Sequence, residues 1–154
     1  MKQIVYGSQE FLDRLKDAVN KDTIFRDLAK EDYNANELII VKDLGIGLWQ
    51  RTINGEIKEF MLIPKKKITE YEKQAEIVYY IDSYNSLVDI CREGASFIQM
   101  IIDGQIDVKG DMKKLKRIQA ASERMELIMK KICKDSLILS KEEYIRLLLQ
   151  KNYL

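Results

Sequence analysis

The segment DGQIDVKGDM, residues 103–112, decides how the chain is read. Two glycines, Gly104 and Gly110, bracket a run in which Ile106 and Val108 alternate with Gln105, Asp107 and Lys109. Such period-two alternation marks a strand with one buried face. Gly104 follows the apolar run ASFIQMII and is placed to take the left-handed conformation that ends a helix. Asp111 stands where a side-chain oxygen can cap the next helix, DMKKLKRIQAASERMELIMKKI. The segment therefore predicts one half-buried strand wedged between two helices.

Upstream, AEIVYYID (75–82) predicts another strand, and Asp82 or Ser83 caps a helix carrying Leu87, Val88 and Ile90 that Gly94 closes. ELIIVKDL (37–44) is rich in branched apolar residues and predicts a strand. GLWQRTI and EIKEFMLI flank Asn54-Gly55, the strongest two-residue hairpin signal, because a type I′ turn needs positive φ at both positions. PKKKITEYEKQ (64–74) reads as an exposed connection. Near the start, Ser8 caps a helix with Phe11, Leu12, Leu15 and Val19 at helical spacing, and a short helical stretch with Ile24, Phe25 and Leu28 follows. Ser140 and Glu143 form a capping box for a last helix with Tyr144, Ile145 and Leu147 to Leu149. This order predicts an α+β fold, a mostly antiparallel sheet with helices packed on one face.

Composition narrows the function classes. The 154 residues suit one domain with a real core. Lys and Arg number 26 against 25 Asp and Glu, which argues against broad capture of nucleic acid. Histidine is absent, which removes the commonest general base and metal ligand and every Ser-His or Cys-His nucleophile pair. No apolar run reaches membrane-span length, and the opening residues lack the apolar core of a signal peptide. Cys91 and Cys133 are far apart and form no CxxC motif, so both are expected reduced, in a cytoplasmic setting.

Several motifs reduce to structure. Gly45 and Gly47 lack the third glycine and the helix that a dinucleotide loop requires. Asp103, Asp107 and Asp111 fail as a calcium loop, because Lys114 falls where a bidentate Glu is needed. No metal or cofactor is expected. Asp82 and Asp89 are carboxylates that a hydrolase could be built on, but nothing pairs them in sequence. Lys65 to Lys67 suit a solvated loop or transient contact with anionic lipid. One excess remains: Phe97, Ile98, Met100, Ile101 and Ile102 wrap most of the way round a two-turn helix, predicting burial on nearly all sides.

From Ile77 through Asp82-Ser83, Gly94, Phe97, Ile101, DGQIDVKGDM and Leu115, the order resembles the sterol-carrier-protein type 2 family. That family's hallmark is a helix ending in glycine, a short strand shaped like KLKIKGD, and a long helix. GLWQRTINGEIKE is similar to its aromatic strand, glycine hairpin and returning strand, so the likeness runs over residues 37–118. Where the family often has proline soon after the position of Gly94, this chain has Ala95-Ser96-Phe97. The resemblance implies a five-stranded sheet covered by helices, with a tunnel that accepts acyl, isoprenoid or sterol-like molecules and does no chemistry of its own. Residues 1–133 are then the lipid-binding domain, and 134–154 a helical extension packed on it.

The resemblance and the apolar excess together give the expected pocket lining: Trp49, Phe60 and Leu62 from the sheet, Phe97, Ile98, Ile101 and Ile102 from the short helix, and Met112 and Leu115 from the long one. Trp49 is chosen on aromatic content, since periodicity does not say which sheet face meets the helices. A rival reading gives the groove to a protein, either a partner in a lipid-related or cofactor-biosynthesis complex or a second copy of the chain. A rigid tunnel of about 400 Å³ left unfilled would cost roughly 10 kcal/mol, as much as a typical domain's whole stability. The tunnel is therefore expected to hold ligand, collapse, or be plugged by the 95–102 helix or by the C-terminal one.

Overall fold

The computed structural model describes residues 3–154; Met1 and Lys2, at the start of the expected 1–133 domain, lie outside the described residues. Five strands form one sheet in the order β3-β2-β1-β4-β5, with β1 Ala35–Val41, β2 Ile46–Ile53, β3 Glu56–Ile63, β4 Ile77–Ile81 and β5 Ile106–Gly110. All neighbours run antiparallel except β1 and β4. The helices are α1 Gln9–Lys21, α2 Thr23–Ala29, α3 Ile68–Gln74, α4 Tyr84–Ile90, α5 Phe97–Ile102, α6 Met112–Lys134 and α7 Lys141–Gln150.

The local signals act as expected. Ser8, Ser83 and Asp111 each accept a hydrogen bond from the N–H three residues on, and Ser140 with Glu143 completes a capping box. Gly104 takes φ +78° behind α5. Gly110 is held more tightly: at φ +120° its Cα lies so close to the Glu76 carbonyl that a side chain would collide with backbone. That approach lets β5 pair with β4 and then turn at once into α6.

The main core lies between one sheet face and α1, α2, α4, α6 and α7. A second, smaller cluster of Leu38, Ile40, Trp49, Ile63 and Val78 lies on the opposite face. Residues 64–74, expected as an exposed connection, instead form a short 3-10 turn and α3, whose Ile68 and Tyr71 pack on that cluster. The apolar signal in α3 is only two residues deep, too little to show a helical period.

The cysteines correct the sequence reading. Cys91, just after α4, and Cys133, in the last turn of α6, are joined in a disulfide across 42 residues of chain. Only the tertiary fold brings them together. The cytoplasmic expectation thereby loses the support it drew from reduced thiols. Among the described residues, no helix is long and apolar enough to cross a membrane.

Closing a loop of this length removes denatured-state entropy worth about 4 kcal/mol on the chain-entropy account. Reduction should therefore lower the urea midpoint clearly, and Cys91→Ser with Cys133→Ser should reproduce that loss and abolish the effect of reductant. An unchanged midpoint on reduction would contradict the pairing.

Candidate functional site

A cavity of about 140 Å³ lies between the sheet and helices α1, α5 and α6. Its floor is the strand face that carries Glu37 and Ile39 of β1, Leu48 and Gln50 of β2, Phe60 of β3 and Tyr79 of β4. Phe11, Leu12 and Leu15 of α1 close one side, and Leu115, Met125 and Met129 of α6 another. Helix α5 closes the rest with Phe97, Ile98 and Ile101, and the Phe97 ring meets Tyr79 edge-on at 5.1 Å between centroids.

Phe60, Phe97, Ile98, Ile101 and Leu115 of the expected lining thus come together here. The other four do not. Trp49 is 2% exposed, but on the far face, edge-on to Tyr71 of α3 and donating from Nε1 to Glu59. Leu62 is buried on the cavity face but beneath α1, where the Gln9 side chain accepts from its backbone N–H. Ile102, one residue past Ile101, is rotated out to 71% exposure, and Met112, in the first turn of α6, is 46% exposed.

That Trp49 and Phe60 face opposite ways has a definite cause. An unbroken two-residue hairpin at Asn54-Gly55 would set Trp49 opposite Phe60. The register instead shifts between Arg51 and Thr52: Thr52 pairs with Ile57, but Arg51 pairs with Glu59. Lys58 is the extra residue of a β-bulge, so Trp49 faces Met61 and Gln50 faces Phe60. A one-residue slip moves every side chain beyond it to the other face.

Helix α5 departs from expectation too. None of its residues is fully buried. It lies over the cavity as a thin cover, and α6 holds it at its N-terminal end. Glu126 Oε1 accepts the Phe97 N–H at 2.9 Å, and Lys130, 3.4 Å from that oxygen, donates to the Ala95 carbonyl. The disulfide fastens the preceding turn to α6 as well. The C-terminal helix supplies no lining residue: Tyr144 and Leu148 are core, and Tyr144 stacks on Tyr84 and donates to the Gly7 carbonyl. Lys65 to Lys67 precede α3, on the side of the sheet away from the cavity. Asp82 and Asp89 pair with Lys42 and Arg92 on the surface.

Sequence reasoning missed the polar floor. Glu37, 7% exposed, accepts from Tyr33 Oη at 2.5 Å and from Tyr79 Oη at 2.7 Å. Gln50 donates to Tyr33 Oη and to Thr52 Oγ1. Burial pushes the Glu37 carboxyl above its ordinary range; the two tyrosine bonds oppose that shift, and Glu76 adds to it. Burial, and then the Glu37 charge, push both tyrosines further up, so they remain donors. The only signal in the sequence was the alternation of Glu37 with Ile39 and Val41, which an exposed strand end shows equally.

No protein-family model matches the chain, and a search of curated proteins finds no match. Solved structures do match. A crystal structure of sterol carrier protein 2 superposes with TM-score 0.66 over 80% of this chain and 95% of its own, at 11% identity. The chain has the sterol-carrier-protein type 2 fold. A conserved hypothetical protein of Thermus thermophilus, described as possibly a sterol carrier protein, gives TM-score 0.68 over 86% of this chain and 92% of its own, also at 11% identity. A UbiJ-SCP2 ubiquinone synthesis protein gives 0.53 over 77% and 89%, at 12% identity. In this sterol-carrier fold the cavity lies between the sheet and the helices that cover it.

The raised carboxyl has a signed consequence. Between the ordinary carboxylate pKa and Glu37's higher one, the folded state holds a proton that the unfolded state has lost, so stability falls as pH rises through that window. Glu37→Gln removes the titration. Melting curves from pH 4 to 8 should show the variant gaining on the natural protein as pH rises; a constant difference would contradict a raised Glu37.

Proposed function

We propose that the chain binds a hydrophobic ligand, acyl, isoprenoid or sterol-like, between sheet and helices and holds or transfers it without chemical change. The observation that carries this reading is the cavity: its walls are mostly apolar side chains from one sheet face and the helices packed on it, covered on one side by α5, none of whose residues is fully buried. The sterol-carrier fold supports it. Each buried methylene contributes about 0.8 kcal/mol, so even a chain segment of modest length gains enough to offset much of the loss of free motion.

The size of the cavity bears on how a ligand enters. A cavity of about 150 Å³ accommodates a molecule the size of benzene. At about 140 Å³ this interior takes one end of a long ligand, and a whole chain requires α5 to move outward. Leaving such a cavity unfilled costs about 3 kcal/mol, a cost a stable domain bears. A small interior under a thin cover thus avoids the cost of a large rigid tunnel.

Organic extraction of freshly purified protein, analysed by mass spectrometry, should recover acyl, isoprenoid or sterol-like material. Phe97→Ala removes a lining ring from the cover and should weaken binding of a C10 chain by about tenfold or more, on the scale of a lost buried aromatic. Because Phe97 is not fully buried, the loss of stability should be smaller than for a fully buried ring. Equal losses in affinity and stability would make Phe97 core rather than lining, and absence of binding to any apolar ligand would overturn the proposal.

A further inference from the structure

The cavity is not uniformly apolar: beside the neutral Gln50, Gln119 and Ser122, its charged lining residues share one sign. The ionisable carboxylates lining it are Glu37 at the floor and Glu123 and Glu126 on α6. Among the described lining residues there is no lysine or arginine. Lys130, the nearby cation, is already engaged by Glu126 and the Ala95 carbonyl. A carboxylate or phosphate head group entering this space meets only its own charge.

The floor is more selective still. A carboxylate has about four lone-pair positions. Tyr33 and Tyr79 take one on each oxygen of Glu37. Both tyrosines, held in place by burial, and Glu37 itself line the cavity, so an entering group meets the carboxylate together with its two donors. Gln50 is committed to Tyr33 and Thr52 and does not complete the shell. An alkyl end pressed against this floor would strip the carboxylate of water and return nothing. A donor would complete its shell with a charge-assisted bond, which is about twice as strong as a neutral one.

We infer that Glu37, set by Tyr33 and Tyr79, is a specificity-determining residue that selects ligands whose buried end is a neutral hydrogen-bond donor, a hydroxyl, and rejects free acids. This deepens the proposed binding function and rests on it. A fatty acid is disfavoured in both orientations. Head first, its carboxylate faces Glu37; tail first, its methyl covers a carboxylate that accepts only two hydrogen bonds. An alcohol entering head first meets neither obstacle.

Three ligands of nearly equal size separate these effects: decan-1-ol, its isomer methyl nonyl ether, which cannot donate, and decanoate. Titration calorimetry at a pH above Glu37's raised pKa, where its carboxyl is ionised, should show decan-1-ol binding about tenfold or more tighter than the ether, the worth of one hydrogen bond to a charged group. Decanoate should be weaker again. In Glu37→Gln the negative charge is gone but an acceptor oxygen remains, so the preference for decan-1-ol over decanoate should shrink by about tenfold. Each preference is a ratio on one protein sample, so partial misfolding of the variant cancels. If all three bind the natural protein equally, or the ratios are unchanged in Glu37→Gln, Glu37 does not select and this inference fails while the binding function stands. If none binds, both fail.

Discussion

A carboxylate sits at the middle of the middle strand, under the helical layer, with two tyrosine hydroxyls for partners. That placement constrains everything packed above it. An apolar core closes by interdigitation until few voids remain. Here each Glu37 oxygen accepts one tyrosine hydroxyl, and apolar closure over it would leave the carboxylate without further donors. The cavity lies directly over this group. Helix α1 approaches from one side with Phe11, Leu12 and Leu15, α6 from the other with Leu115, Met125 and Met129, and neither covers the floor. What remains is bridged by α5, a helix too short to carry a core of its own.

The cover is held by chemistry distinct from that of the cavity. Glu126 and Lys130 grip the start of α5 through backbone groups, and the disulfide ties the preceding turn to the end of α6. At its other end α5 runs through Gly104 directly into the edge strand β5, which Gly110 sets against β4. The cover is thus held at both ends and seated by a few apolar side chains, the edge-on contact of Phe97 with Tyr79 among them. Few buried contacts and a short span are the properties of segments that open at low cost. The methionines of α6, flexible and polarizable, suit a wall whose contents change.

Much of the fold was legible in the sequence because local rules specify it. Ser8, Ser83, Asp111 and the Ser140–Glu143 box mark helix starts by chemistry that acts within one turn. Asn54-Gly55 marks the hairpin, and the 103–112 segment gives strand, stop and cap together. Apart from α3, whose local signal is too shallow, the failures lie where a longer-range fact decides. The bulge at Lys58 reverses the face of Trp49 without leaving a trace in hydrophobic alternation. The apolar wrapping of α5 implies burial only if partners exist on every side, and the fold supplies them on one. Glu37 reads as a strand's polar end until Tyr33 and Tyr79 arrive from elsewhere in the chain. Cys91 and Cys133 likewise meet only once α4 and α6 are docked. Structural neighbours at 11% identity carry the same topology, so the fold tolerates wide change in sequence.

The central claim is that sheet and helices part to admit an apolar ligand beneath α5. A crystal structure with 10-bromodecan-1-ol, read by the anomalous signal of bromine, tests it most directly. The expected result is a bromine peak inside the molecule, among the side chains of α1, α5 and α6, with the chain leading down to Glu37. Bromine found only on the surface, with Phe97 and Leu115 closed over a solid interior, would contradict it.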